Sequence, residues 1–246
     1  NTWIEKEFGG AVSLMTIGCG ADVGPQPSGN LAIAEEHGRA IATETKRLLA
    51  EKTTPLGGAP TIVARQIKLP LAKPKPRAHW EEQLKSGGFH HQLAKAMLAK
   101  LDATGEIPAE VNYPVSVWKF DNDLAMVFLA GEVVVDYSVR LKRELDWSRV
   151  WLNAWANDMP GYIPSRRILR EGGYEADFSQ VYYEQPGRYD PAVEDKLVNT
   201  IRELVSSEFA AKPGQEPSPF HKAPSGESLA FKRLAGWVGG DRSDTE

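Results

Sequence analysis

Two apolar runs joined by three short polar residues, between Tyr113 and Ala130, constrain this chain more than any other stretch. Tyr113 to Phe120 alternates apolar and polar residues, the period of a half-buried strand. Asp121, Asn122 and Asp123 supply turn chemistry, because short polar side chains tolerate left-handed backbone and hydrogen-bond locally. Leu124 to Ala130 is continuously apolar, which predicts burial on both faces. The result is an antiparallel hairpin, so a sheet containing it is not parallel throughout.

Gly131 ends the second run, and Glu132 to Leu145 carries helix formers with Arg140, Lys142 and Arg143 late, where positive charge suits the helix dipole. A third run with strand character, Arg149 to Ala156, is broken by Asn157 to Gly161 just before Tyr162. Open α/β sheets place their sites at strand ends. Glu132, Tyr162 and Tyr174 are therefore candidates. The ordinary fate of a glutamate such as Glu132 is a solvated place in the first turn of a helix.

The remaining elements complete an α/β reading. Strands are expected near 11–17, 61–69, 113–120, 124–130 and 149–156, and helices near 31–51, 132–145 and 191–208, with broken helical structure over 80–101. The fold class is thus α/β, a mixed β-sheet flanked by helices. Residues 1–210 form the domain, and 211–246 has linker composition with one apolar patch, Leu229 to Val238. That tail either begins another domain or is disordered.

The first strand runs into the loop Gly18 to Pro25, which lacks both the dinucleotide fingerprint and the P-loop pattern. It is either a tight turn or a place where backbone approaches a ligand. A formal charge of −4 gives no electrostatic footprint for nucleic acid. Cys19 is the only cysteine, which excludes an intramolecular disulfide and a Cys-rich zinc site. No run approaches the roughly 20 apolar residues of a membrane span. His37 has no assigned role, and adjacent His90 and His91 lack the i, i+4 spacing of a helical metal pair. Arg166 and Arg167 are surface residues or hold a substrate carboxylate or phosphate. Tyr182, Tyr183 and Tyr189 line a pocket or pack.

The order Gly131-Glu132, one helix, one strand, Asn157, Tyr162-Ile163 and finally Tyr174-Glu175-Ala176 resembles the neutral (non-lysosomal) ceramidase family. The resemblance implies Glu132 and Tyr162 as zinc ligands. Tyr174, twelve residues past Tyr162, is implied as a catalytic hydrogen-bond donor to the substrate or transition state. Ala21 to Gln26 resembles the family segment Gly-Asp-Val-Ser-Pro-Asn, which puts Asp22 and Gly24 in a substrate or oxyanion loop. The family's serine falls on Gly24, and glycine offers neither a nucleophile nor a side-chain donor.

The resemblance further implies zinc as cofactor, completed by histidines from a segment preceding Asn1, so the chain is expected to be the C-terminal portion of a larger α/β/α sandwich-like catalytic domain and inactive alone. It also suggests a secreted or periplasmic protein. The expected function is zinc-dependent hydrolysis of an amide in an N-acyl lipid such as ceramide. The alternatives are a zinc hydrolase of the same fold with another substrate, or a non-catalytic binding domain.

Overall fold

The hairpin read from the sequence is the middle of a four-stranded sheet. The computed structural model describes residues 1–216 and 218. The sheet contains β1 (Thr61–Pro70), β2 (Glu110–Phe120), β3 (Leu124–Leu129) and β5 (Val150–Asn153), in the order β1-β2-β3-β5. β1 and β3 pair antiparallel to β2, while β5 runs parallel to β3, so the sheet is mixed as expected. Asp121 turns the hairpin at φ 45°, in the left-handed region open to short polar residues.

One face of the sheet forms the core. Tyr113, Val115, Val117, Ala125, Val127 and Leu129 alternate along β2 and β3 and are fully buried. Helix α7 (Ala192–Val205) lies on this face, its Val193, Leu197, Val198, Ile201 and Val205 all buried. Helix α5 (Val135–Glu144) packs beside α7 through Tyr137 and Leu141. The opposite face differs from the expectation for β3. The cross-strand row Ile62, Trp118, Met126 and Trp151 lies there, and Ile62, Trp118 and Trp151 are exposed. β3 is therefore closed on one face and only partly covered on the other, although its residues read as uniformly apolar.

Two further sequence expectations are corrected. Residues 11–17 are not a strand: Val12 and Leu14 are exposed, and only Ile17 bridges, antiparallel, to Ala154 beside β5. Glu132 is not the first residue of a helix. Glu132–Val133 form a short strand, β4, parallel to β6 (Tyr162–Ile163), and α5 begins three residues later. The parallel partner supplies backbone hydrogen bonds that helix propensity could not foresee.

Outside this layer, α1 (Thr2–Glu7) packs on α2 (Leu31–Leu49), which starts at an Asn30 cap bonded to the Ile33 N–H at 3.0 Å. Only Ala42 of α2 is buried. Helices α3 (Arg77–Gln83) and α4 (Gly88–Thr104) form a satellite core around Trp80, Leu93, Ala94 and Met97, broken near Ser86 as expected. After β6 come α6 (Arg166–Glu171), a π-turn over Tyr174–Phe178 and a 3₁₀ turn over Ser179–Tyr183. Residues 211–216 hydrogen-bond back onto the end of α5, through Ala211 N–H to Glu144 and Gln215 to Asp146. The apolar patch at 229–238 lies outside the described residues.

Candidate functional site

The site is built where β3 gives way to β4. Gly131 adopts φ +70°, and a Cβ placed on it would lie 2.4 Å from the Gly161 carbonyl oxygen. Only glycine fits. The Gly131 N–H donates to Asp158 O at 2.9 Å and the Glu132 N–H to Gly161 O at 2.9 Å, while Gly131 O accepts from Trp155 N–H at 3.0 Å. The loop from Trp155 to Gly161 is thereby stitched to the end of β3. Trp155 and Asn157 both take positive φ, 52° and 69°, a strained conformation for a tryptophan, held by these flanking bonds.

The stitching sets Glu132 directly opposite Tyr162 in the β4–β6 pair. The Tyr162 ring meets the Tyr174 ring edge-on, with centroids 5.4 Å apart, and Tyr174 is half exposed at the surface. The three residues singled out from the sequence thus share one cluster. A fourth was not singled out. The Tyr183 hydroxyl donates to Glu132 Oε1 at 2.6 Å, and its ring lies 6.4 Å from that of Tyr162. Tyr183 was one of three tyrosines read only as lining or packing. Tyr182 instead packs on Phe89 and Tyr189 is buried in the core, so backbone geometry, invisible in the spacing, selects among them.

The phenols of Tyr162 and Tyr183 are held well above the ordinary tyrosine pKa, by burial first and then by hydrogen bonding to, and repulsion from, the Glu132 carboxylate. Both therefore remain protonated donors at neutral pH. The cluster gathers one carboxylate and three phenols, a set that can hold a cation through oxygen or donate hydrogen bonds to a developing oxyanion.

The glycine-rich loop docks beside it. Ala21 N–H donates to Val133 O at 3.2 Å, and Asp22 Oδ1 accepts from the Val135 N–H at 2.7 Å, tying the loop to β4 and the start of α5. Burial raises the Asp22 pKa, opposed by that N–H and by Arg167. Asp22 therefore anchors the loop. Gly24, two residues on, is exposed, and a Cβ there would meet nothing within 4 Å. Cys19 is buried in the core, and burial pushes its thiol pKa up to about 12, so it is no nucleophile at neutral pH.

Arg166 and Arg167, read as surface residues or as holders of an anion, are both engaged in ion pairs. Arg167 grips Asp136 with two bonds of 2.9 and 3.0 Å and also pairs with Glu171, while Arg166 pairs with Asp195. His37 and His91 are bonded to the carbonyls of Pro27 and Leu84. Among the described residues no group of three or more His, Cys, Asp or Glu side chains is placed to hold a metal ion. Comparisons with known protein families, curated proteins and solved structures return no match.

Proposed function

We propose that the chain carries part of the active site of a ceramidase-like, zinc-dependent hydrolase that cleaves the amide of an N-acyl lipid. The observation that supports the reading is the Glu132–Tyr162 pair, adjacent on parallel strands with the Tyr174 ring edge-on to Tyr162. The resembled family sets two metal ligands and an active-site tyrosine in that order. A carboxylate and a phenol side by side fit an oxygen-donor share of a zinc site, the rest to come from histidines outside the described residues. When bound, zinc supplies Lewis-acid polarisation of the amide carbonyl.

The chain's own residues have separable parts in this reading. Tyr183 fixes the Glu132 carboxylate through its 2.6 Å bond, as outer hydrogen bonds orient metal ligands elsewhere. Tyr174, exposed beside the pair, donates its hydroxyl to the oxygen that gains charge as the amide is attacked. The open outer face of the sheet, with Ile62, Trp118 and Trp151, is the face a second layer covers in the larger α/β/α sandwich.

The test uses the product of the complete reading frame and a fluorescent N-acyl sphingosine. Tyr174→Phe is expected to keep its zinc and to lower kcat by about 10²-fold. Full turnover by Tyr174→Phe would remove it from the mechanism.

Gly24 favours a second reading, a zinc hydrolase of the same fold whose substrate is attacked without the family's serine. A Cβ at Gly24 meets no atom and its φ lies outside the left-handed region, so Gly24→Ser fits the folded loop. If ceramide is the substrate, Gly24→Ser raises turnover of the N-acyl sphingosine. If turnover stays flat while a panel of other amides and esters is cleaved, the second reading holds.

A further inference from the structure

A cleft unrelated to the Glu132 cluster in its chemistry lies where α3 and α4 meet the 3₁₀ turn. Its volume is about 500 Å³, within the range of small-molecule sites. Lys73, Lys75 and Arg188 line it with one carboxylate, Asp177. Arg188 Nε is 3.4 Å from Asp177 Oδ1, and Arg188 also donates to the Leu169 carbonyl. Among the described residues neither Lys73 nor Lys75 is paired with a carboxylate. Three cations against one carboxylate leave an excess of two positive charges.

The rest of the lining is not that of a solvated charged surface. Trp80, Leu93, Val181 and Pro186 give it an apolar wall, with His79 and His90 at its side. Gln180 also lines it, only 3% exposed, and its Oε1 has no hydrogen-bond partner among the described residues.

We propose that this cleft binds a small organic phosphomonoester. The phosphate carries a charge of about −1.5 to −2 at neutral pH, which matches the excess of positive charge, and an apolar body meets the Trp80 wall. A free phosphate ester and a phospholipid headgroup share this chemistry. The cleft is independent of the zinc reading, although its wall and Tyr183 belong to one turn.

Isothermal titration of the full chain with phenyl phosphate tests the proposal, with benzyl alcohol and inorganic phosphate as partial ligands. Phenyl phosphate is expected to bind at least tenfold more tightly than either. Lys73→Ala with Lys75→Ala, both exposed, should weaken it at least tenfold. Gly187, in the cleft lining, has nothing within 4 Å of an added Cβ and no left-handed φ, so a side chain can start there; Gly187→Trp, verified by a native circular dichroism spectrum, should obstruct binding. Glu132→Gln should leave it unchanged. Co-sedimentation with phosphatidylcholine vesicles, with and without phosphatidate, separates the sources: binding to phosphatidate vesicles lost in the lysine variant assigns a headgroup, and its absence beside phenyl phosphate binding assigns a free ester. No binding of phenyl phosphate to the native chain, or binding untouched by both the lysine and Gly187 variants, overturns the proposal. Inorganic phosphate binding as tightly overturns the organic ester.

Discussion

Single positions in this chain differ in tolerance for reasons that lie in the backbone. The sequence places Gly131 at the end of the second apolar run and Gly24 in a loop, and neither reading says which of them tolerates a side chain. A Cβ on Gly131 would lie 2.4 Å from a carbonyl oxygen at φ +70°, whereas one on Gly24 meets nothing. Gly131→Ala is therefore expected to cost at least about 2 kcal/mol and to separate Glu132 from Tyr162, while Gly24→Ala stays within about 0.5 kcal/mol of the native chain. Chemical denaturation of the two variants checks this, and equal stabilities would contradict it. Glu132, Tyr162 and Tyr174 could be singled out because a strand-end Gly-Glu and the tyrosine spacing are written in order along the chain. Tyr183 could not. Its role depends on a 3₁₀ turn that brings it back across 51 residues to Glu132, and nothing in the sequence separates it from Tyr182.

At the level of elements, periodicity found what is long and missed what is short. The hairpin, β1, α2, α4 and α7 were legible because their apolar spacing runs over many residues. β4 and β6 are two residues each, too short for any period, and exist because each completes the other's hydrogen bonds. The 11–17 segment shows the reverse failure: strong β propensity, but only the Ile17–Ala154 bridge to secure it. The junction after α5 carries a further consequence. Asp146 is 2% exposed; burial alone would raise its pKa, but hydrogen bonds from Ser148, Arg149 and Gln215 lower it to about 2. A carboxyl whose folded pKa is depressed stabilises the fold above its ordinary value of 3.8 and loses that contribution as pH falls through about 2. The shift corresponds to about 2 kcal/mol at neutral pH. Acid titration of Asp146→Asn followed by circular dichroism should show a less stable protein at pH 7 whose stability converges with the native chain near pH 2; an unchanged gap would refute the assignment.

For the molecule as a whole, the mixed α/β class followed from the hairpin turn, because Asp121 to Asp123 forces an antiparallel neighbour beside the parallel β3–β5 pair. Which face is covered did not follow. Leu124 to Ala130 is apolar on both sides, yet among the described residues helices cover only the face of Val127, and Trp118 and Trp151 are exposed on the other. Among the described residues no helix is long and apolar enough to cross a membrane. The site draws the chain together: loop 18–25, the β3–β4 junction, β6 and the 3₁₀ turn contribute Asp22, Glu132, Tyr162 and Tyr183. The central claim is that Glu132 and Tyr162 are ligands of one zinc ion. Its most direct measurement is the zinc content of the purified full reading-frame product, native and with Tyr162→Phe, which removes one oxygen and little else. The account predicts one zinc per native chain and at least a tenfold loss of zinc affinity in a variant that keeps its native circular dichroism spectrum. Equal zinc occupancy and affinity in the two proteins would contradict it.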